Sequence, residues 1–170
     1  MTSSLTPALF SVVLICSCCK PAEFPSSPDR AFATAAATAN IDGMATGNLG
    51  AQYASGPAIR TFSSLLAGND SAAELALLPM ADSINLVLPT APDGEYDSLR
   101  QQVSGEPTGG FDLQWLRTQS TALHRLTSLY EKEIGNGQSG TVQRYARNWL
   151  PAILRQQLEA DSLLNLQPAQ

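Results

Sequence analysis

From residue 29 onward, apolar side chains recur at three- and four-residue steps, the spacing that lines one face of an α-helix. In "DRAFATAAATANIDGMATGNLGAQYA" (29–54), Phe32, Ala36, Ala39 and Gly43 fall on one stripe, widened by Ile41, Met44 and Leu49. Asp29 suits a helix N-terminus, as a cap or as a negative charge against the helix dipole. The three glycines of this segment each cost about 1 kcal/mol relative to alanine, but they let a second helix come close. In "SGPAIRTFSSLLAGNDSAAELALLPMADS" (55–83), Ser55 before Pro57 marks a helix start, and Ile59, Phe62, Leu65, Leu66 and Leu75 follow at helical spacing. Pro79 predicts a kink or an end near Leu78.

The stretch 84–95 reads as a connection. "INLVLP" has strand character, but a lone short strand is not a stable unit. "PDGEYDSLRQQVS" (92–104) predicts a short helix within that connection. A third long helix is expected over 109–135, closed by Gly135, and a fourth over 141–164 after the turn "NGQSG". The fourth has a core stripe of Val142, Tyr145, Ala146, Trp149, Ile153 and Leu163, with a kink predicted at Pro151. Trp115 and Trp149 lie on core-facing phases. The pattern as a whole predicts an all-α four-helix bundle with a short helix in the crossover between the second and third long helices.

Composition narrows the function. The 170 residues suffice for one domain with short extras. The formal charge of −5, with no basic run and no aromatic–basic interleaving, argues against a nucleic-acid partner. It also argues against adsorption to anionic lipid headgroups.

The first residues follow a different rule from the domain. "ALFSVVLIC" (8–16) is too short to span a bilayer and reads as a signal-peptide core, although "MTSSLTP" before it carries no Lys or Arg. All three cysteines lie at 16, 18 and 19, so no disulfide framework holds the domain. "LICSCCK" resembles a bacterial lipoprotein box, with Ile15 three residues before Cys18 and Ser17 directly before it. The resemblance implies cleavage before Cys18 and lipidation of that residue. A plain secretory signal with incidental cysteines, or a cysteine metal cluster lacking a second ligand pair, are the alternatives. The proline- and serine-rich stretch after it reads as a tether. The expected organisation is thus a signal peptide over 1–17, a tether over 18–28 and the bundle over 29–165.

His124 is the single histidine. On the third helix the apolar stripe is Leu116, Leu123, Leu126 and Tyr130, with Gln119 as its polar member. His124 points about 100° away from Leu123. Its neighbours four and seven residues away are Ser120, Ser128, Arg117 and Glu131, so it is expected on the polar surface.

Residues 32–164 resemble the bacterial envelope family called domain of unknown function 4142. The resemblance rests on "FATAAATANIDGMATGNLGAQYASGPAIRTFSSLL", "LVLP", "GGFDLQWL" (with Trp115 where the family has tyrosine) and "LPAILRQQLEA". It implies a ferritin-like four-helix bundle. Such bundles build metal sites from one carboxylate or histidine per helix. The family's Glu, Asp-His, Asp-His and His positions correspond here to Gly43, Asn69-Asp70, Ala122-Leu123 and Gln156. Of these, Asp70 alone can ligate a hard metal, and one carboxylate cannot fix a transition ion.

Other chemistry is sparse. Asp70 and Glu74 form an i, i+4 carboxylate pair, read as a solvated helix edge with acid–base work as the alternative. Asp112 reads as an N-terminal helix residue. There is no nucleophile motif with a placed base and acid, and "GNGQSG" is no phosphate loop. The expectation is a non-enzymatic, monomeric, lipid-anchored bundle of the bacterial envelope without a cofactor. It would be exported to the periplasmic or outer side and touch the membrane through its anchor. A ferritin-like metal protein or metal-dependent enzyme, and a carrier of apolar ligands in the bundle interior, are the alternatives.

Overall fold

Ser26 caps the first helix, α1 (Ser27–Tyr53), and Asp29 completes a capping box as its third residue. The Asp29 carboxylate accepts from the Ser26 backbone N–H at 2.7 Å and from its hydroxyl at 2.6 Å, so orphan donors at the helix start are satisfied. Asp29 was expected to open the helix, but the chain becomes helical two residues earlier, with Pro28 in the first turn.

The computed structural model describes residues 25–92, 94–104 and 110–167, with the backbone alone given at 95 and 102–104. Cys18 and the predicted signal peptide lie outside the described residues. α1 is followed by α2 (Pro57–Ser83), the short α3 (Gly94–Ser104), α4 (Phe111–Asn136) and α5 (Gly140–Asn165). The protein is all-α, four long helices with a short one in the crossover. Among the described residues no strand occurs, and no helix is long and apolar enough to cross a membrane.

α1 packs along α2 and α4 along α5, and the two hairpins meet through α1 against α4 and α2 against α5. Two hydrogen-bonded clamps fix the topology. At one end Asp112, at the start of α4, accepts from the Ser55 N–H (2.9 Å), the Ser55 hydroxyl (2.7 Å) and the Gly56 N–H (2.9 Å) in the α1–α2 turn. At the other end Asp29 accepts from the backbone N–H groups of Gln138 (2.8 Å) and Ser139 (3.2 Å) in the α4–α5 turn. α4 therefore starts beside the start of α2, and the crossover must return along the length of the bundle. α3 rides on that crossover and packs on α1 and α4. This is consistent with a ferritin-like connection.

Several details depart from the hydrophobic pattern. On α1, Ala39, Gly43, Ile41, Met44 and Leu49 are only partly buried, while Ala33, Ala37, Asn40, Thr46, Gly47 and Gly50 are buried. On α2, Leu65 is 56% exposed and Leu75 66%, while Ser63, Asp70, Ala73 and Leu77 face inward. The cause is the α1–α2 contact, built from small residues at close range. A Cβ on Gly47 would sit 2.8 Å from the Ser63 carbonyl oxygen and 2.9 Å from the Ala67 nitrogen. One on Gly50 would meet the Trp115 indole at 2.6 Å.

Helix α2 runs through Pro79 to Ser83, and α5 runs through Pro151. Both prolines are exposed, as are Leu75 and Arg147 four residues earlier, so the carbonyls that lose a partner lie on the water side. Trp149 is half-buried at the core edge, unlike the fully buried Trp115, and α4 is closed by Gly137 in place of Gly135.

Two glycines give opposite predictions. Gly47→Ala would push against backbone and the Ala67 Cβ, neither of which can swing aside, and is expected to destabilise by about 1–3 kcal/mol. Gly68 is exposed, with nothing within 4 Å of an added Cβ, so Gly68→Ala is expected to stabilise by about 0.5–1 kcal/mol through helix propensity. Urea denaturation of both variants checks the pair, and equal signs would contradict the packing described.

Candidate functional site

His124 lies on the polar face as its phase predicts. Its side chain is 56% exposed and its Nε2 is 3.0 Å from Asp161 Oδ2 on α5. Ser120 donates to the other Asp161 oxygen at 2.5 Å. An exposed pair of this kind is worth about 0–1 kcal/mol. It joins α4 to α5 on the outer face of the bundle.

The interior holds the more informative geometry. Between α1 and α4, with α2 as its floor, lies a cleft of about 500 Å³. Gly43 and Thr46 of α1, Leu66 and Asp70 of α2, and Gln119, Ala122 and Leu123 of α4 all line it. Three of the four helices thus bring their resemblance-derived positions (43, 70 and 122–123) to one place. The fourth, Gln156 on α5, is 3% exposed and does not line the cleft. Its Nε2 has no hydrogen-bond partner.

Asp70 was expected on a solvated edge, and its burial is a correction: it is 8% exposed. It lies four residues after Leu66 and seven before Leu77, so it shares their buried stripe. That register was present in the sequence, but giving weight to Leu65 and Leu75 obscured it. Gly43 makes the position possible, because a Cβ there would overlap the Asp70 carboxyl. Burial raises the Asp70 carboxyl well above the usual carboxylate range. No described residue donates a hydrogen bond to it.

Glu74, the other half of the predicted pair, turns to a polar network. Asn40 Nδ2 donates to Glu74 Oε2 (3.0 Å) and to the Tyr145 hydroxyl (3.3 Å). Tyr145 donates to the Ala73 carbonyl (3.2 Å), and Tyr130 to Tyr145 (3.4 Å). Burial, then the neighbouring tyrosine and carboxylates, raises the Tyr130 hydroxyl well above its usual range. The network is a polar brace within the core.

A second buried carboxyl lies at the far end of the bundle. Glu133 on α4 is 4% exposed and its Oε1 is without a hydrogen-bond partner. Desolvation, then hydrogen bonding and charge from Asp29, raises Glu133 to about 7. Burial alone would raise Asp29 as well, but its hydrogen bonds from Ser26, Gln138 and Ser139 outweigh that and hold it near 2.

The residues at the cleft do not fit a transition metal. Among the described residues no group of three or more His, Cys, Asp and Glu comes together, and the wall around Asp70 is largely Ala and Leu. In comparison with known proteins, a family model described as Domain of unknown function (DUF4142) matches residues 19–163. No curated protein and no solved structure matches.

Proposed function

The chain belongs to the DUF4142 family, and from that premise we propose that it is a non-enzymatic, monomeric binding protein of the bacterial envelope. In this reading it is exported, cleaved before Cys18 and tethered to the membrane by lipid on that cysteine. The address is supported by "LICSC" beside a short apolar run. The binding role is carried by one observation: where the resemblance-derived positions converge, the Asp70 carboxyl is buried at the floor of a cleft walled largely by alanine and leucine. That is the composition of a pocket that holds a ligand, with few polar groups fixing its orientation. Among the described residues no set of three or more His, Cys, Asp and Glu comes together there to hold a metal for a reaction.

Cells expressing the full chain and fed an alkyne-bearing fatty acid test the anchor. Label is expected on the native chain and absent from Cys18→Ala. Equal labelling, or none on either, would contradict it. Stoichiometric iron, manganese or zinc in the purified full chain would overturn the reading in favour of a metal protein.

A further inference from the structure

We propose that the α1–α4 cleft binds an uncharged amphiphile, a hydrocarbon body carrying one hydroxyl or carbonyl group, with Asp70 as its hydrogen-bonding handle. The proposal rests on the binding role above and names the ligand class of the same site.

Size and lining set the body of the ligand. Ligand clefts run from about 300 to 1,000 Å³, and this one is about 500 Å³. Its walls are Ala35 and Ala39 on one side and Ala122, Leu126 and Leu129 on the other. Short side chains on facing helices leave a slot that no described side chain fills. Burying a hydrocarbon there gains about 25 cal/mol for each Å² of apolar surface removed from water.

The polar end is set by Asp70. A buried polar group without a partner costs free energy until something pairs with it. Burial disfavours the charged form of this carboxyl, and the uncharged form offers one O–H donor and one carbonyl acceptor. A hydroxyl or ketone answers that pair without introducing charge. An ammonium would have to ionise the acid and lose its own hydration in an apolar slot. A carboxylate would find no cation at the floor, since Arg125 and Asp42, of opposite sign, both line the cleft and give no net attraction. Gly43 lets the carboxyl seat against α1 and leaves the slot open.

The test uses the full chain in phosphatidylcholine liposomes with a decanol analogue carrying a diazirine in its chain. After illumination, digestion and mass spectrometry, adducts are expected on α1 between 35 and 46 and on α4 between 119 and 129. Excess 1-decanol or 2-decanone should compete. Decane, decylammonium and decanoate should compete at least about tenfold less, the factor for one lost hydrogen bond of typical strength. Asp70→Asn, which keeps a donor and an acceptor, should retain labelling, and Asp70→Leu should lose about tenfold in affinity.

Ala122→Trp, which fills the slot from a half-buried position, should abolish labelling while circular dichroism stays native. It carries the test if Asp70→Leu fails to fold. Adducts spread over exposed leucines such as Leu75 and Leu158, undiminished labelling of folded Ala122→Trp, or stronger competition by decylammonium would each overturn the proposal. Cys18→Ala should label as the native chain does, so failure of the anchor leaves this result readable.

Discussion

Trp115→Ala is expected to cost about 3–5 kcal/mol, at the upper end for a single core truncation. For a domain of this size that corresponds to roughly a 10–15 °C drop in melting temperature. Trp115 is fully buried. Its ring stands edge-on to Phe62 of α2 at 5.8 Å, and its indole N–H donates to the Thr46 carbonyl of α1 at 2.9 Å. One side chain on α4 thus binds both helices of the other hairpin. The space is complementary, since the indole lies against Gly50, where any Cβ would intrude. Trp115→Phe keeps most of the area but loses the hydrogen bond, and should fall between the two. Calorimetry of the three proteins checks the order, and a loss under about 1 kcal/mol for Trp115→Ala, within the range of surface substitutions or little more, would contradict this packing.

Raising the pH from 5 to 8 is expected to weaken the protein, with Glu133 and the buried Asp70 both losing stability in that direction, and Glu133→Gln is expected to remove the part that Glu133 carries. Glu133 titrates near 7 in the folded state against 4.5 ordinarily, because burial and the Asp29 carboxylate oppose its charge. The folded protein then holds a proton that the unfolded chain releases between those values, so stability falls as pH rises through the window. Two and a half units set an upper bound of about 3 kcal/mol. Asp29 acts in the opposite sense: its contribution is complete above 3.8 and is lost as pH falls toward 2. Between them the pair places the stability optimum near pH 4–5.

A glutamine at 133 has no proton to lose, and its amide can donate toward Asp29. In an Asp70→Asn background, which removes the other raised carboxyl, urea midpoints measured from pH 4 to 9 should slope with Glu133 in place and stay nearly flat in Glu133→Gln. Making the comparison in a His124→Gln background removes the chain's single imidazole from the profile. Equal slopes in both proteins would show that Glu133 is not the titrating group.

The helices were legible because their hydrophobic spacing, Pro57 at the first position of α2 and the glycine- or serine-containing turns agree. The phase of α4 was legible too, and with it the outward position of His124, since Leu116, Leu123 and Tyr130 leave one consistent face. The phases of α1 and α2 were harder to read. There the buried stripe is made of Gly47, Gly50, Ser63 and Asp70, residues a hydrophobicity count discards, while Leu65 and Leu75 sit in water. Close packing selects for small size at such positions, and apolar character is secondary. The clamp from Asp29 to Gln138 and Ser139 spans more than a hundred residues of sequence, and local patterning carries no trace of it. The resemblance to a ferritin-like bundle supplied what patterning lacked. It named positions 43, 69–70, 122–123 and 156 as neighbours; the cleft brings 43, 70 and 122–123 together, and Gln156 lies outside its lining.

The central claim is that this place now holds an uncharged, unpartnered acid facing an apolar slot. Carbon-13 NMR of aspartate-labelled protein, with Asp70 assigned by its absence in Asp70→Asn, tests it most directly. The Asp70 carboxyl is predicted to remain protonated at pH 7 and to shift on addition of 1-decanol. A resonance that ionises in the ordinary range, about 3.9, and does not respond to decanol would contradict the account.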